Sequence, residues 1–215
     1  MSDKQVDVRL IVPSTIGLVL AGGLARRMGG RDKVRIRIGT TTILQRTTAR
    51  LAPQCSRLIV NGDAARFADT GLIVVGDSVP DHPGPLAGIL AGLDWTAKHL
   101  PQIEWVVSVP SDCPFLPGDL VARLHHTRAD AGTPLACASS AHRRHPLAAL
   151  WKVGLREDLR RALVHGGVHK VEIWTARHGT AVAEWPTTPV DPFFNVNTPA
   201  DAAEADRLSV QFPGI

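Results

Sequence analysis

The segment Leu20-Ala21-Gly22-Gly23-Leu24-Ala25-Arg26-Arg27-Met28-Gly29-Gly30-Arg31-Asp32-Lys33 gathers four glycines and four cationic side chains. Glycines allow positive φ and close approach of a ligand, so such a segment can turn several backbone N–H groups into one concavity. Arg26, Arg27, Arg31 and Lys33 add fixed positive charge at the same place. A polyphosphate suits that chemistry. Two familiar phosphate loops do not fit. A P-loop needs Gly-x4-Gly-Lys followed by Ser or Thr, whereas Lys33 is followed by Val34 and the glycine spacing differs. A dinucleotide fingerprint needs Gly-x-Gly-x-x-Gly running into a helix, and no such triplet stands here.

A second segment, Ser111-Asp112-Cys113-Pro114-Phe115-Leu116-Pro117, follows the apolar run Glu104–Val109. In open α/β sheets ligands bind beyond the carboxyl ends of strands. A carboxylate there is well placed for Mg2+, which takes oxygen ligands and reaches a protein through one or two carboxylates plus substrate phosphates. Gly84-Pro85-Leu86-Ala87-Gly88 opens a helical stretch whose small residues and free N–H groups favour an anionic ligand. Taken alone, Asn61 in Val60-Asn61-Gly62 and Asp77 in Gly76-Asp77-Ser78 are ordinary turn residues at strand ends. His165 and His169 stand four apart, but Gly166 and Gly167 weaken any helix between them and no third metal ligand is evident. There is no Gly-x-Ser-x-Gly elbow.

The pattern Leu-Ala-Gly-Gly, then Arg-Met-Gly-Gly-x-Asp-Lys, resembles the signature of the molybdenum cofactor guanylyltransferases. The looser form of that pattern belongs to a wider class of nucleotidyltransferases; the doubled Gly29-Gly30 and the pair Asp32-Lys33 narrow it. Five segments follow the family in order, from about Ile16 to Leu208. The family's Pro-Cys-Asp-Thr-Pro segment is matched at Asp112, with Ser111 and Cys113 replacing the usual neighbours, and Asn-x-Asn-Thr-Pro is matched at Asn195-Val196-Asn197-Thr198-Pro199.

The resemblance implies transfer of GMP from GTP to the phosphate of molybdenum-molybdopterin. It implies that the backbone of Leu20, Ala21, Gly22 and Gly23 holds the nucleotide, with Lys33 near the α-phosphate and Arg27 at the leaving pyrophosphate. Asp112 would carry Mg2+ and share the catalytic role with Lys33 and Arg27. Asn61 and Asp77 would fix the guanosine. Gly84, His145, Asn195 and Asn197 would line the acceptor site. Transient contact with molybdoenzymes or their chaperones follows from the same resemblance. A sister enzyme using CTP or another phosphorylated acceptor is the nearest alternative, and a non-catalytic nucleotide-binding protein the more distant one.

Elements that position these residues can be read from periodicity. Strands are expected at Ile16–Leu20, Arg57–Asn61, Leu72–Val75, Glu104–Val109 and Thr180–Trp185, and helices at Thr42–Leu51, Pro85–His99, Pro117–His126, Leu155–Val164 and Lys170–Arg177. Thr133–Ala138 and His145–Trp151 read as a small β excursion around the basic turn Ala141-His142-Arg143-Arg144. Thr198-Pro199-Ala200-Asp201 is a helix start, with Thr as N-cap and Pro at the first position. Alternation of strands and helices predicts α/β architecture, a single Rossmann-like nucleotidyltransferase domain over 1–215 with a mostly parallel sheet flanked by helices. Residues 1–14 are a tail or a short extra strand.

Composition narrows the partners. The chain has 215 residues, 44% hydrophobic, enough for one sizeable core. Its formal charge of +4 rests on 19 Arg and 5 Lys against 20 acidic residues, a bias suited to bidentate phosphate recognition. With aromatics at only 5% and no Tyr, the stacking platforms of a single-strand nucleic-acid binder are missing, so a small anionic ligand is expected rather than nucleic acid. No run approaches the roughly 18 apolar residues of a membrane span. Three scattered cysteines form no Cys-x-x-Cys pair, which points to a reduced, cytoplasmic setting.

Overall fold

The apolar run ahead of the glycine-rich segment forms strand β1 (Thr15–Leu20), in the interior of a seven-stranded sheet. The computed structural model describes residues 12–22, 32–79 and 84–215. A short hairpin, β2 (Arg37–Ile38) and β3 (Thr41–Thr42), leads into helix α1 (Ile43–Leu51). Then come β4 (Arg57–Asn61), β5 (Ile73–Val75), α2 (Pro85–His99), β6 (Trp105–Pro110) and α3 (Leu120–Asp130). The chain finishes with β7 (Leu135–Ser140), β8 (Arg143–Lys152), α4 (Arg156–Val164), α5 (Val171–Thr175), β9 (Ala181–Trp185) and α6 (Pro199–Gln211).

The strand order is β5-β4-β1-β6-β8-β7-β9, and only β8 runs against its neighbours. The expected mostly parallel α/β sheet is therefore present. Burial on both faces explains why β1 and β6 read as continuous apolar runs rather than alternating ones. Alternate residues feed two cores: Val19, Val60, Val107 and Val109 on one face, Ile16, Leu18, Ile59 and Val106 on the other. Leu44 and Leu51 of α1 and Leu120 and Leu124 of α3 cover the first face. Leu86, Ile89, Leu90 and Leu93 of α2, with Leu159 and Leu163 of α4 and Trp174 of α5, cover the second. Helix α2 lies close on β1 because Gly92 has no side chain; a Cβ there would come within 2.6 Å of Leu18.

Three local expectations are revised, and the end of the fourth helix is as expected. The β7–β8 pair is not an excursion but part of the main sheet, with β8 pairing antiparallel to β6 from Ser108↔Ala149 to Trp105↔Lys152. Its turn is Ala141-His142, both at positive φ, and Arg143 and Arg144 already belong to β8. Helix α3 begins at Leu120 rather than Pro117 because Pro117–Asp119 closes a turn first, with Leu120 N–H donating to the Pro117 carbonyl at 3.3 Å. Helix α4 ends at Val164 and Gly167 sits at φ +58°, so His165 and His169 share no helical face.

His125 of α3 is enclosed at the opposite end of the sheet from Leu20 and Pro110. It is 2% exposed, with Nε2 2.8 Å from Thr15 Oγ1 and its ring edge-on to Trp105. Burial depresses its pKa to about 4. The folded value lies below the unfolded one, about 6.5, so its stability contribution is full above that value and drains away as pH falls toward 4. Between pH 7 and pH 5 the native protein is expected to lose up to about 2 kcal/mol on this account. Denaturant unfolding of His125→Gln, which keeps a partner for Thr15 but cannot titrate, checks this: its pH dependence should be shallower by that amount.

Candidate active site

Strand order reverses at β1, which has β4 on one side and β6 on the other. The crevice beyond the carboxyl ends of two such strands is where open α/β sheets take ligands. Leu20 pairs with Pro110, and Ser111 N–H donates to the Leu20 carbonyl at 3.1 Å. The chain that follows β1 and the chain that follows β6 thus leave the sheet side by side. The first returns at Asp32, whose carboxylate caps a 3-10 turn over Lys33–Arg35 by accepting from Val34 N–H at 3.3 Å. The second presents Asp112.

Lys33 Nζ donates to Asp112 Oδ2 and, at 2.6 Å, to Asn197 Oδ1. The Lys33 and Asp112 side chains are only 16% and 20% exposed. Asn197 is held there by the start of α6. Its N–H and that of Thr198 both donate to Asp201 Oδ2 at 2.8 Å, while Thr198 Oγ1 accepts from Asp201 N–H. Those backbone bonds hold the Asp201 carboxyl below its usual pKa. Val196 N–H donates to the Asp112 carbonyl at 3.0 Å, and Cys113 Sγ donates to Asn195 Oδ1 at 2.8 Å, so two more links tie this segment to the end of β6. Burial pushes the Cys113 thiol well up, which leaves it a hydrogen-bonding group rather than a nucleophile.

On the other side of Leu20 the chain end of β4 supplies Asn61, which is 4% exposed. Its carbonyl accepts from Ala21 N–H at 2.9 Å, and its amide nitrogen donates to the Val75 carbonyl at 3.2 Å and to Asp77 Oδ1 at 2.8 Å. The Asn61 amide lies over Gly88 of α2: a Cβ at Gly88 would come within 2.9 Å of Asn61 Cγ. Gly88 therefore makes room for Asn61. Gly84 is the N-cap of α2.

Of the residues singled out in the sequence, Leu20, Ala21, Gly22, Lys33, Asn61, Asp77, Asp112, Asn195 and Asn197 come together around the ends of β1, β4 and β6. Gly23 and Arg27 lie outside the described residues. His145, in β8, is linked to the group only indirectly; Nε2 is 2.8 Å from Ser140 Oγ and the ring stacks on Phe193, two residues before Asn195. Burial lowers its pKa. Two further residues help to build the site. Asp201 orients Asn197, and the Thr-x-x-Asp capping pattern was its signal. Arg66 grips Asp32, and nothing in the sequence marks it.

The chemistry of the donor set fits Mg2+. Asp112 Oδ2 and Asn197 Oδ1 converge on one point, where the Lys33 ammonium now stands, and both are hard oxygens. No group of three or more His, Cys, Asp or Glu that could hold a metal stands among the described residues.

Residues 17–180 match the MobA-like NTP transferase domain. The chain is 58% identical over 200 residues to the molybdenum cofactor guanylyltransferase of Nitrobacter hamburgensis, spanning 92% of this chain and 96% of that one. It is 55% identical over 201 residues to the molybdenum cofactor guanylyltransferase of Rhodopseudomonas palustris, spanning 93% and 96%. Among solved structures, molybdopterin-guanine dinucleotide biosynthesis protein A from Archaeoglobus fulgidus aligns with a TM-score of 0.70 at 21% identity, over 92% of this chain and all of the other. CMP:2-keto-3-deoxy-manno-octonic acid synthetase, complexed with CTP, aligns at 0.68 and 13% identity, over 92% and 99%. At those identities the two structures share the fold.

Packing of Asn61 on α2 yields a prediction. Gly88→Ala forces Asn61 off its position or α2 off the sheet, at a cost of about 1–3 kcal/mol. The thermal midpoint should fall by several degrees. A midpoint within about 1 °C of the native one would mean that Asn61 yields at no cost.

Proposed function

The chain belongs to the molybdenum cofactor guanylyltransferases, and on that premise we propose that it transfers GMP from GTP to molybdenum-bound molybdopterin. The products are the guanine dinucleotide cofactor and pyrophosphate. The observation that carries this reading is the convergence of Lys33, Asp112 and Asn197 at the end of β1 and β6. The terminal phosphate of the pterin attacks the α-phosphorus of GTP, a new phosphorus–oxygen bond forms, and the bond to the β-phosphate oxygen breaks. That phosphate is already an anion near neutral pH, so no side chain has to take a proton. The protein's task is positioning and charge neutralisation.

Backbone groups of Leu20, Ala21, Gly22 and Gly23 hold the nucleotide. Lys33 turns from Asp112 to the α-phosphate, and Arg27 meets the leaving pyrophosphate. Asp112, with Asn197 beside it, would hold Mg2+, which when bound would supply positive charge against the reacting phosphates. Asn61 fixes Asp77 and the exit of β1, and the pair bounds the guanosine site. Gly84, His145, Asn195 and Asn197 face the acceptor. One domain carries both substrate sites. No described helix is long and apolar enough to cross a membrane. We place the enzyme in the cytoplasm, handing its product to molybdoenzymes or their chaperones.

The direct test is incubation with GTP, Mg2+ and molybdenum-molybdopterin. Pyrophosphate and the dinucleotide cofactor should appear together. No product with GTP, and product with CTP, would move the chain to the alternative use of this fold.

Asp112→Asn should lower turnover on the order of 10^3-fold with the fold intact, because the cation loses its carboxylate. Lys33→Ala should also lower the rate strongly, and Lys33→Arg should restore only part of it, since a planar fork places charge differently from a compact ammonium. Steady-state rates at saturating GTP check both. Near-native turnover in Asp112→Asn would put the metal elsewhere.

Base selectivity is the second expectation. GTP should bind at least about tenfold tighter than CTP or ATP, roughly 1.4 kcal/mol. Donors and acceptors built for the guanine edge are left unpaired by another base. Calorimetric titration of the three nucleotides with Mg2+ measures this.

A further inference from the structure

Asp32 stands one residue before Lys33, yet its carboxylate is bound to Arg66. Arg66 Nε donates to Asp32 Oδ2 at 2.8 Å, and a terminal nitrogen donates to Oδ1. The other terminal nitrogen donates to the Ala21 carbonyl at 2.6 Å. A single guanidinium thus bridges the chain as it leaves β1 and the chain just before Lys33, on either side of the glycine-rich stretch. The hydrogen bonds from Arg66 hold the Asp32 carboxyl below its usual pKa, so the carboxylate stays charged at neutral pH.

Arg66 is itself well anchored. It sits in a 3-10 turn, Ala65–Phe67, directly after β4, with Asp63 Oδ1 accepting from Ala65 N–H at 2.9 Å. Next to it Phe67 is 1% exposed, and the guanidinium carbon lies 5.0 Å from the centre of that ring. The Arg66 carbonyl accepts from Arg35 at 2.7 Å, and Arg35 forks onto both carboxylate oxygens of Asp69 at 2.7 and 2.8 Å. The segment Arg66–Asp69 therefore grips the Lys33–Arg35 turn from before and behind.

We propose that Arg66 is a positioning residue for the transfer reaction: it locks Asp32, and with it the turn that carries Lys33, at a fixed place relative to β1 and Asp112. This rests on the reading of Lys33 as a phosphate-facing group. Asp32 caps the turn over Lys33–Arg35, so fixing its carboxylate fixes the turn that carries Lys33. The guanidinium is suited to that task. Its planar fork makes two bonds to one carboxylate and leaves a donor for the Ala21 carbonyl, whereas an ammonium has no such geometry.

The test compares Arg66→Gln, Arg66→Lys, Lys33→Ala and the double variant Arg66→Gln with Lys33→Ala. Pyrophosphate release, thermal unfolding and calorimetric titration with GTP and Mg2+ are measured on each. Arg66→Gln should lower kcat by about tenfold to a hundredfold, the scale of an ångström-sized misplacement. GTP affinity should change by less than about threefold, and Arg66→Lys should fall between Arg66→Gln and native. In the Lys33→Ala background Arg66→Gln should cost less than about threefold more, because it acts through Lys33. An impaired Lys33→Ala with a native-like Arg66→Gln, or with losses that multiply in the double variant, would overturn the role of Arg66 and leave that of Lys33 standing. A native rate in Lys33→Ala would remove both. If Arg66→Gln does not fold, Arg66→Lys decides, and a native kcat in it would overturn the proposal.

Discussion

Parallel pairing of β1 with β6 is the constraint on which the site depends. With Leu20 opposite Pro110, the segments after these strands emerge next to each other although they are far apart in sequence. Lys33 and Asp112 can meet only because of that pairing. The sheet protects the register from its other side through Ser108 of β6, which is fully buried. Its hydroxyl donates to the Leu147 carbonyl at 2.7 Å and accepts from Trp151 Nε1 at 2.8 Å, so a shift of β8 against β6 would strand buried polar groups. An apolar strand alone has little to fix its register; one satisfied polar residue supplies it.

A site meant for a polyphosphate and a cation has to hold opposite charges ready without leaving them unpaired in a half-buried place. Here three charges among the described residues have partners already. Lys33 is paired with Asp112, Asp32 with Arg66, and Asp201 with the N–H groups at the start of α6. Removing one partner leaves the other poorly compensated, which costs more than the pair contributes. The Lys33–Asp112 pair also has a chemical logic in the proposed reaction. Each member is a stand-in for what the other will meet: the ammonium occupies the place of a cation, and the carboxylate that of a phosphate oxygen. Binding of the substrates then exchanges partners rather than burying new unpaired charge.

Much of this was legible in the sequence because it rests on local signals. The buried strands were long apolar runs, α2 and α6 announced themselves by Pro at the first turn, and the Thr198–Asp201 capping box is present as read. What could not be read depends on distant chain segments meeting. The strands β2 and β3 are two residues each, too short for any period. That β7 and β8 join the main sheet is decided by their pairing with β6, which no local pattern records. That Gly88 leaves room for the Asn61 amide depends on α2 meeting the end of β4, which no local pattern shows. Arg66 sits in Ala-Ala-Arg-Phe, a stretch with no motif, and its meaning exists only where three chain segments come together.

Likeness to the molybdenum cofactor guanylyltransferases still leaves a physical question, namely why a group-transfer site should carry so little acid–base equipment among its described residues. The proposed nucleophile answers it. Two anions must approach each other, and their repulsion, not a proton, is what the protein has to overcome. A carboxylate base would add negative charge where positive charge is wanted, and no proton has to be taken. His145, linked to the group through Phe193, fits that view: burial lowers its pKa and it is spent on Ser140 and on stacking against Phe193. Among the described residues, those gathered at the strand ends are a lysine, amides and the carboxylates of Asp112 and Asp77. Positive charge is thus delivered by geometry, and geometry is what the clamp of Arg66, the capping of Asp201 and the β1–β6 register all maintain.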